Sequence, residues 1–367
     1  MRFVAILLST LLLATACSEK GGDNGHKIDP ACVATQLDRK PFYGRNPQSS
    51  APAYEVATDK IRLAHTGWGD KYGTFTLNFP EKSSKRIILE YTMGCFGLRP
   101  ADYDNTTIFF VKDKATEEWH EIARAITPYG GLFESDWTKS FYLDVTEFQT
   151  LLQGDTEFRY FYGGFDATED MAHAVTLKFI HYKGEPTHKL LAVKNIYDSA
   201  TTDNCGNRAW VYGIESHDIE AEERLGIREV AIPKGTKDIE LRLSITGHGH
   251  DKGIFPDLGT TAENAAEFDE NIYTITINGI KQKQQGRIFY SNADNYVQLG
   301  TYNYDRANWA PGNPTNIHYW KIDRAGAVND KITIDIDLKR FISQFSTPTE
   351  NDGVARYVVQ GDLFFYN

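Results

Sequence analysis

From residue 72 onward the chain alternates apolar and polar positions in short bursts. Thr74-Phe75-Thr76-Leu77-Asn78-Phe79 repeats with period two and stops at Pro80, which predicts a strand with one buried face. Residues 86–92, 107–112, 141–145, 157–162 and 174–182 carry the same pattern. Residues 119–126 tolerate a helix by propensity. They sit between strands and stop at Thr127-Pro128, so they also read as a strand. Residues 146–152 open on a capping threonine and predict a short helical turn. Gly130-Gly131 and Gly163-Gly164 read as turn pairs. Lys183-Gly184-Glu185-Pro186 breaks the pattern and marks a domain boundary.

A second series follows at 190–197, 209–213, 228–232, 237–246, 273–278, 296–300, 318–323, 331–336 and 355–365. Only residues 218–225 have helical composition. Two successive blocks of short strands predict an all-β protein of two antiparallel sandwiches of jelly-roll size, residues 36–186 and 187–367. The aromatic content of 13% agrees, because flat rings pack well on pleated sheets.

The first residues have a different pattern. Arg2 precedes an apolar stretch too short to span a bilayer, and the segment ends Ala14-Thr15-Ala16-Cys17. Small residues before a cysteine resemble a bacterial lipobox, so residues 1–17 are expected to be a signal peptide with Cys17 lipidated. A polar, glycine-rich tether over 18–35 follows. The expected location is the outer membrane, on its periplasmic or surface side, with the lipid as the only membrane contact. An oxidising compartment permits one disulfide among Cys32, Cys95 and Cys205. The net charge of -11 disfavours nucleic acid as a partner. There is no GxSxG, no P-loop and no HExxH. His248 and His250 alternate with glycines, but a pair at i, i+2 lacks a local third ligand, so no metal and no cofactor is expected.

Several short segments, taken in order, carry a resemblance. They include Gly73-Thr74-Phe75-Thr76, Glu118-Trp119-His120-Glu121-Ile122, Ile126-Thr127-Pro128-Tyr129 and Leu143-Asp144-Val145-Thr146. In the second block come Ile245-Thr246-Gly247-His248-Gly249-His250, Ala266-Glu267-Phe268 and Asp305-Arg306-Ala307-Asn308-Trp309-Ala310-Pro311-Gly312. In this order they resemble the peptide-N-glycosidase F family over residues 70–325, and so across both blocks.

The resemblance implies two eight-stranded jelly rolls packed side by side, a fold shared with peptidylglycine monooxygenases. It also implies hydrolysis of the amide between asparagine and the innermost GlcNAc of N-linked glycans, with glycoproteins or glycopeptides as partners. Residue by residue, it places catalytic carboxylates at Asp104 and Glu267. It places substrate-binding groups at Arg306, Trp309, Tyr103, Phe268 and His250. A third family acid aligns with Gly163, and Glu169 or Asp170 in the next loop are the acids nearest in sequence to replace it. The alternatives are a glycan-binding protein of the same fold that does not cleave, and, further off, a copper monooxygenase. Two carboxylates from different blocks can meet only where the blocks join, which is where clefts commonly lie.

Overall fold

The computed structural model describes residues 29–40, 42–199, 210–212, 225–249, 266–324, 329–338 and 356–367. The signal segment with Cys17, most of the tether, Cys205, the helical segment before Leu225, and His250 lie outside the described residues. Among the described residues twenty strands, β1 to β20 in chain order, form four antiparallel sheets.

Two sheets make the first sandwich. One runs β2 (Phe42–Tyr43), β8 (Thr138–Asp144), β5 (Ser84–Gly94), β10 (Ala174–Lys183), β3 (Tyr54–Ala57). Its partner runs β17 (Asn313–Pro314), β7 (Trp119–Ile126), β6 (Thr106–Lys112), β9 (Gly154–Asp166), β4 (Gly67–Phe79). Alternate residues of each strand meet in a core rich in aromatics, where Phe109 stacks on Tyr160 with centroids 4.5 Å apart.

The second sandwich pairs a sheet of β1 (Ala34–Leu37), β18 (His318–Ile322), β14 (Asp238–His248), β20 (Arg356–Tyr366) and β11 (Leu190–Tyr197) with a four-stranded one. A further strand, β12 (Trp210–Tyr212), also pairs with β20. The four-stranded sheet is β13 (Arg228–Ala231), β19 (Lys331–Leu338), β15 (Asn271–Ile277) and β16 (Ile280–Ile288). Isoleucine is the commonest residue of its core, around the fully buried Trp320. The all-β, double jelly-roll architecture is thus the one expected.

The sandwiches exchange strands. β1 precedes the first sandwich in the chain yet pairs with β18 of the second. β17 comes from the second half yet pairs with β7 of the first. Leu190, Val193, Phe364 and Tyr366 project from the second sandwich into the core of the first.

Polar groups are also sealed where the two meet. Arg124 and Glu121 of β7 are fully buried and paired at 2.5 Å. Arg124 Nη1 donates to Thr246 Oγ1 and to the carbonyl of Val358 across the junction. Arg242 returns the contact by donating to the carbonyls of Glu121 and Ile122. Buried His120 and Asp362 meet at 2.7 Å.

Three local expectations differ. Residues 296–300 are not a strand; they form a loop in which Gln298 Oε1 accepts the Tyr129 N–H and the Tyr296 hydroxyl donates to the Gly312 carbonyl. Their alternation reflects polar anchors turned inward, with Val297 and Leu299 exposed. β16 went unpredicted because its middle is polar, as suits an edge strand. Gly163-Gly164 do not turn; they continue β9, paired with β4 on one side, while Gly163 also pairs with Thr106 of β6.

Candidate active site

Asp104 stands just before β6, and its position is fixed by the residue after it. The Asn105 N–H donates to Thr127 Oγ1, and its side-chain amide donates to the Tyr162 hydroxyl and Asp166. Asn105 Oδ1 accepts the Phe165 N–H. A fully buried asparagine with its amide saturated fixes the backbone on which Asp104 rides.

Glu267 arrives from the second sandwich. Its N–H donates to the Gly249 carbonyl, and its own carbonyl accepts the Ala307 N–H. The segment can lie this close to β14 because Gly247 has no side chain. A Cβ there would stand 2.1 Å from the Ala266 carbonyl oxygen.

Arg306 lies between the two acids. Its Nη2 is 3.8 Å from Asp104 Oδ2 and its Nε is 3.5 Å from Glu267 Oε1. The guanidinium is fully buried and clamped from behind. Nη1 donates to the carbonyls of Thr301 and Tyr304, and Nη2 to Thr301 Oγ1 and the Tyr129 hydroxyl. Its carbon sits over Phe268 at 4.7 Å and over Trp309 at 4.6 Å. Asp104 Oδ2 and Arg306 Nε are both buried without a hydrogen-bond partner in the protein, so each still has hydrogen-bonding capacity.

Burial raises the Asp104 carboxyl to about 7; the charge of Glu267 adds to the rise, and Arg306 opposes it. The Tyr129 hydroxyl is raised, first by burial and then by Asp104, so it stays protonated. A raised carboxyl beside a second carboxylate and an arginine is suited to proton transfer.

The structure thus brings Asp104, Glu267, Arg306 and Phe268 together. Tyr103 is 52% exposed at the rim and packs edge-on against Phe165 at 5.3 Å. Trp309 is buried behind Arg306. Its indole N–H donates to the Gly247 carbonyl at 2.7 Å and its ring stacks on His248, so it supports the arginine from within. His248 Nε2 lies 2.8 Å from Thr246 Oγ1. Glu169 and Asp170 lie exposed in a 3-10 turn, Glu169–Met171, where Asp170 accepts a hydrogen bond from Thr168. Tyr129 is the site residue the sequence reading did not single out. It stood at the end of the Ile126-Thr127-Pro128-Tyr129 segment, but its role depends on a contact with Thr301 and Arg306 far along the chain.

Two jelly rolls with an arginine-bridged carboxylate pair at their junction define a double jelly-roll protein with a site suited to hydrolysis. Residues 217–358 match the family model described as peptide-N-glycosidase F, C terminal. The chain is similar to the peptide-N-glycosidase F family. It is 29% identical over 316 residues to peptide-N(4)-(N-acetyl-β-D-glucosaminyl)asparagine amidase F of Elizabethkingia miricola, covering 83% of this chain and 81% of that one. Its fold matches the structure of PNGase F, a glycosylasparaginase from Flavobacterium meningosepticum, with a TM-score of 0.64 and 22% identity, over 86% of this chain and 96% of that one. It also matches PNGF-II with a TM-score of 0.59 and 15% identity, over 85% of this chain and 65% of that one.

Proposed function

We propose that this protein hydrolyses the amide between an asparagine side chain and the innermost N-acetylglucosamine of N-linked glycans. The products are a free glycosylamine and an aspartate in the peptide. The observation that carries this reading is the meeting of Asp104 and Glu267, one from each sandwich, on a single buried arginine. The named activity of the Elizabethkingia miricola relative, which matches both halves of the chain, supports it.

The chemistry needs a base, a charge stabiliser and a proton for the leaving nitrogen. Asp104 takes a proton from water as the water oxygen bonds to the amide carbon. Arg306, clamped from behind, offers its Nε to developing negative charge without reorganising. The carbon–nitrogen bond then breaks, and the proton held by Asp104 goes to the departing amine. Glu267, on the other side of Arg306, is placed to hold the sugar or the water.

Incubating the protein with a denatured glycoprotein and resolving the released glycans tests the reading. Release, with asparagine converted to aspartate at the former glycosylation site, is the expected result. No conversion at any pH between 5 and 9 would rule the reading out.

The pH dependence is a second check. A base with its pKa near 7 must be ionised to act, so kcat/KM rises as pH increases through about 7. Glu267→Gln removes a charge that helps hold this value up, so the acid limb moves to lower pH while the rate falls. An unmoved limb would mean that the two carboxylates do not share the site.

We infer as well that Cys17 is lipidated and anchors the protein to the outer membrane. The small residues before Cys17 and the polar tether after it support this. Several acyl chains hold firmly where one does not. Cys17→Ala is therefore expected to move the protein from the detergent-extracted fraction to the soluble fraction or leave an uncleaved precursor. Recovery of the unaltered protein in the soluble fraction without detergent would refute the anchor.

A further inference from the structure

The outer face of β4 carries Trp68, Asp70 and Tyr72 at alternate positions, all exposed, with Trp68 at 58%. Across the ladder they face Phe165, Gly163 and Phe161 of β9. Trp68 meets Phe165 edge-on at 5.6 Å, and Tyr72 meets Phe161 at 5.1 Å. Asp70 lies between these two aromatic pairs, opposite the one residue in the row without a side chain. A Cβ on Gly163 would stand 2.2 Å from Asp70 Oδ1 and 2.3 Å from the Phe161 ring. The Asp70 carboxylate therefore leans across β9 into the space that Gly163 leaves.

The patch is continuous with the active site. Tyr103, the residue before Asp104, packs on the same Phe165 that Trp68 touches. Gly163 pairs on its other side with Thr106, two residues beyond Asp104. A row of Tyr103, Phe165 and Trp68 thus leads from the base to Asp70.

Exposed rings on a rigid sheet match the apolar faces of pyranose rings. A carboxylate has only acceptor capacity, and sugar hydroxyls are its natural donors. Elsewhere on β4 the outward positions beyond Tyr72 are Thr74, Thr76 and Asn78, so the aromatics are confined to the end next to Asp104.

We propose that Asp70, seated over Gly163 and flanked by Trp68 and Tyr72, is a specificity-determining residue that binds the sugars beyond the innermost one. This rests on the amidase reading. The missing side chain at Gly163 is then what admits the Asp70 carboxylate. A larger residue there collides with the acid.

The test compares one peptide carrying either a single N-acetylglucosamine or a longer N-glycan. Asp70→Asn is expected to lower the ratio of kcat/KM, longer glycan over single sugar, about tenfold, through KM. Gly163→Ala, which displaces Asp70 without removing it, is expected to lower the same ratio, and Thr76→Ala, further along β4, to leave it alone. Circular dichroism and melting curves confirm that each variant is folded. An unchanged ratio in both Asp70→Asn and Gly163→Ala overturns the proposal while the amidase reading stands.

If the wild type releases neither glycan, the amidase reading fails, and a calorimetric titration with the free GlcNAc disaccharide decides the platform. Binding weakened about tenfold by Asp70→Asn supports it. Binding that is unchanged in the variant, or absent in the wild type, overturns it.

Discussion

An Asp104→Asn protein is expected to fold, to hold glycopeptide, and to release glycan at least about a hundredfold more slowly, the lower range for loss of a positioned base. The asparagine keeps the volume and the hydrogen-bonding capacity, so the loss falls on kcat rather than KM. The same change is expected to stabilise the fold at alkaline pH. The folded carboxyl is raised by burial from 3.8 to about 7. Stability is therefore full below the unfolded value and is lost as pH rises through about 7. The asparagine variant should therefore gain on the order of a few kcal/mol at pH 8 and nothing at pH 4. Urea titrations at the two pH values measure this. Turnover near that of the wild type would mean that Asp104 is not the base, and an equal stability change at both pH values would mean that its carboxyl is not raised in the fold.

The largest structural loss is expected at the junction between the sandwiches. Arg124→Met should cost about 3–5 kcal/mol, because it strands the buried Glu121 carboxylate after removing its charge partner. It also strips the donors used by Thr246 Oγ1 and the Val358 carbonyl. Adding Glu121→Gln should recover much of the loss, since a neutral buried pair needs no counter-ion. By contrast Lys331→Met, which breaks an exposed pair with Glu229, should cost under about 1 kcal/mol. A loss at Arg124 as small as that at Lys331 would show that the junction does not depend on this pair.

The strands at 119–126 and 190–197 were legible in full, because each buries residues in a core and the sequence records that demand. β16 was not, since Ile280 and Ile288 bracket a polar middle and an edge strand needs little apolar surface. The loop at 296–300 imitates a strand because Tyr296 and Gln298 turn inward as hydrogen-bonding anchors. Asp104, Glu267 and Arg306 were found through resemblance to a family, not through any local pattern; alone, each looks like an ordinary loop residue. Tyr129 and Asp70 escaped for a common reason. Their surroundings are made by distant segments, Thr301 and Arg306 in one case and Gly163 in the other. Trp309 has the composition of a sugar-stacking residue, and only its burial shows that it supports the arginine instead.

The pairing of β1 with β18 bears on how the chain is made. A ribosome delivers β1 early and β18 near the end, so β1 has no partner while the whole first sandwich emerges. Most strands of the first sandwich emerge before the second, but its core still lacks Phe364 and Tyr366, and the second stays open at one edge until synthesis is nearly over. An early strand waiting for a late partner is a slow, non-local closure, and it makes the last step of assembly a commitment of the entire chain. Removing either end should therefore damage the second sandwich, and a pull applied upstream of β1 would be borne by that sandwich before the first.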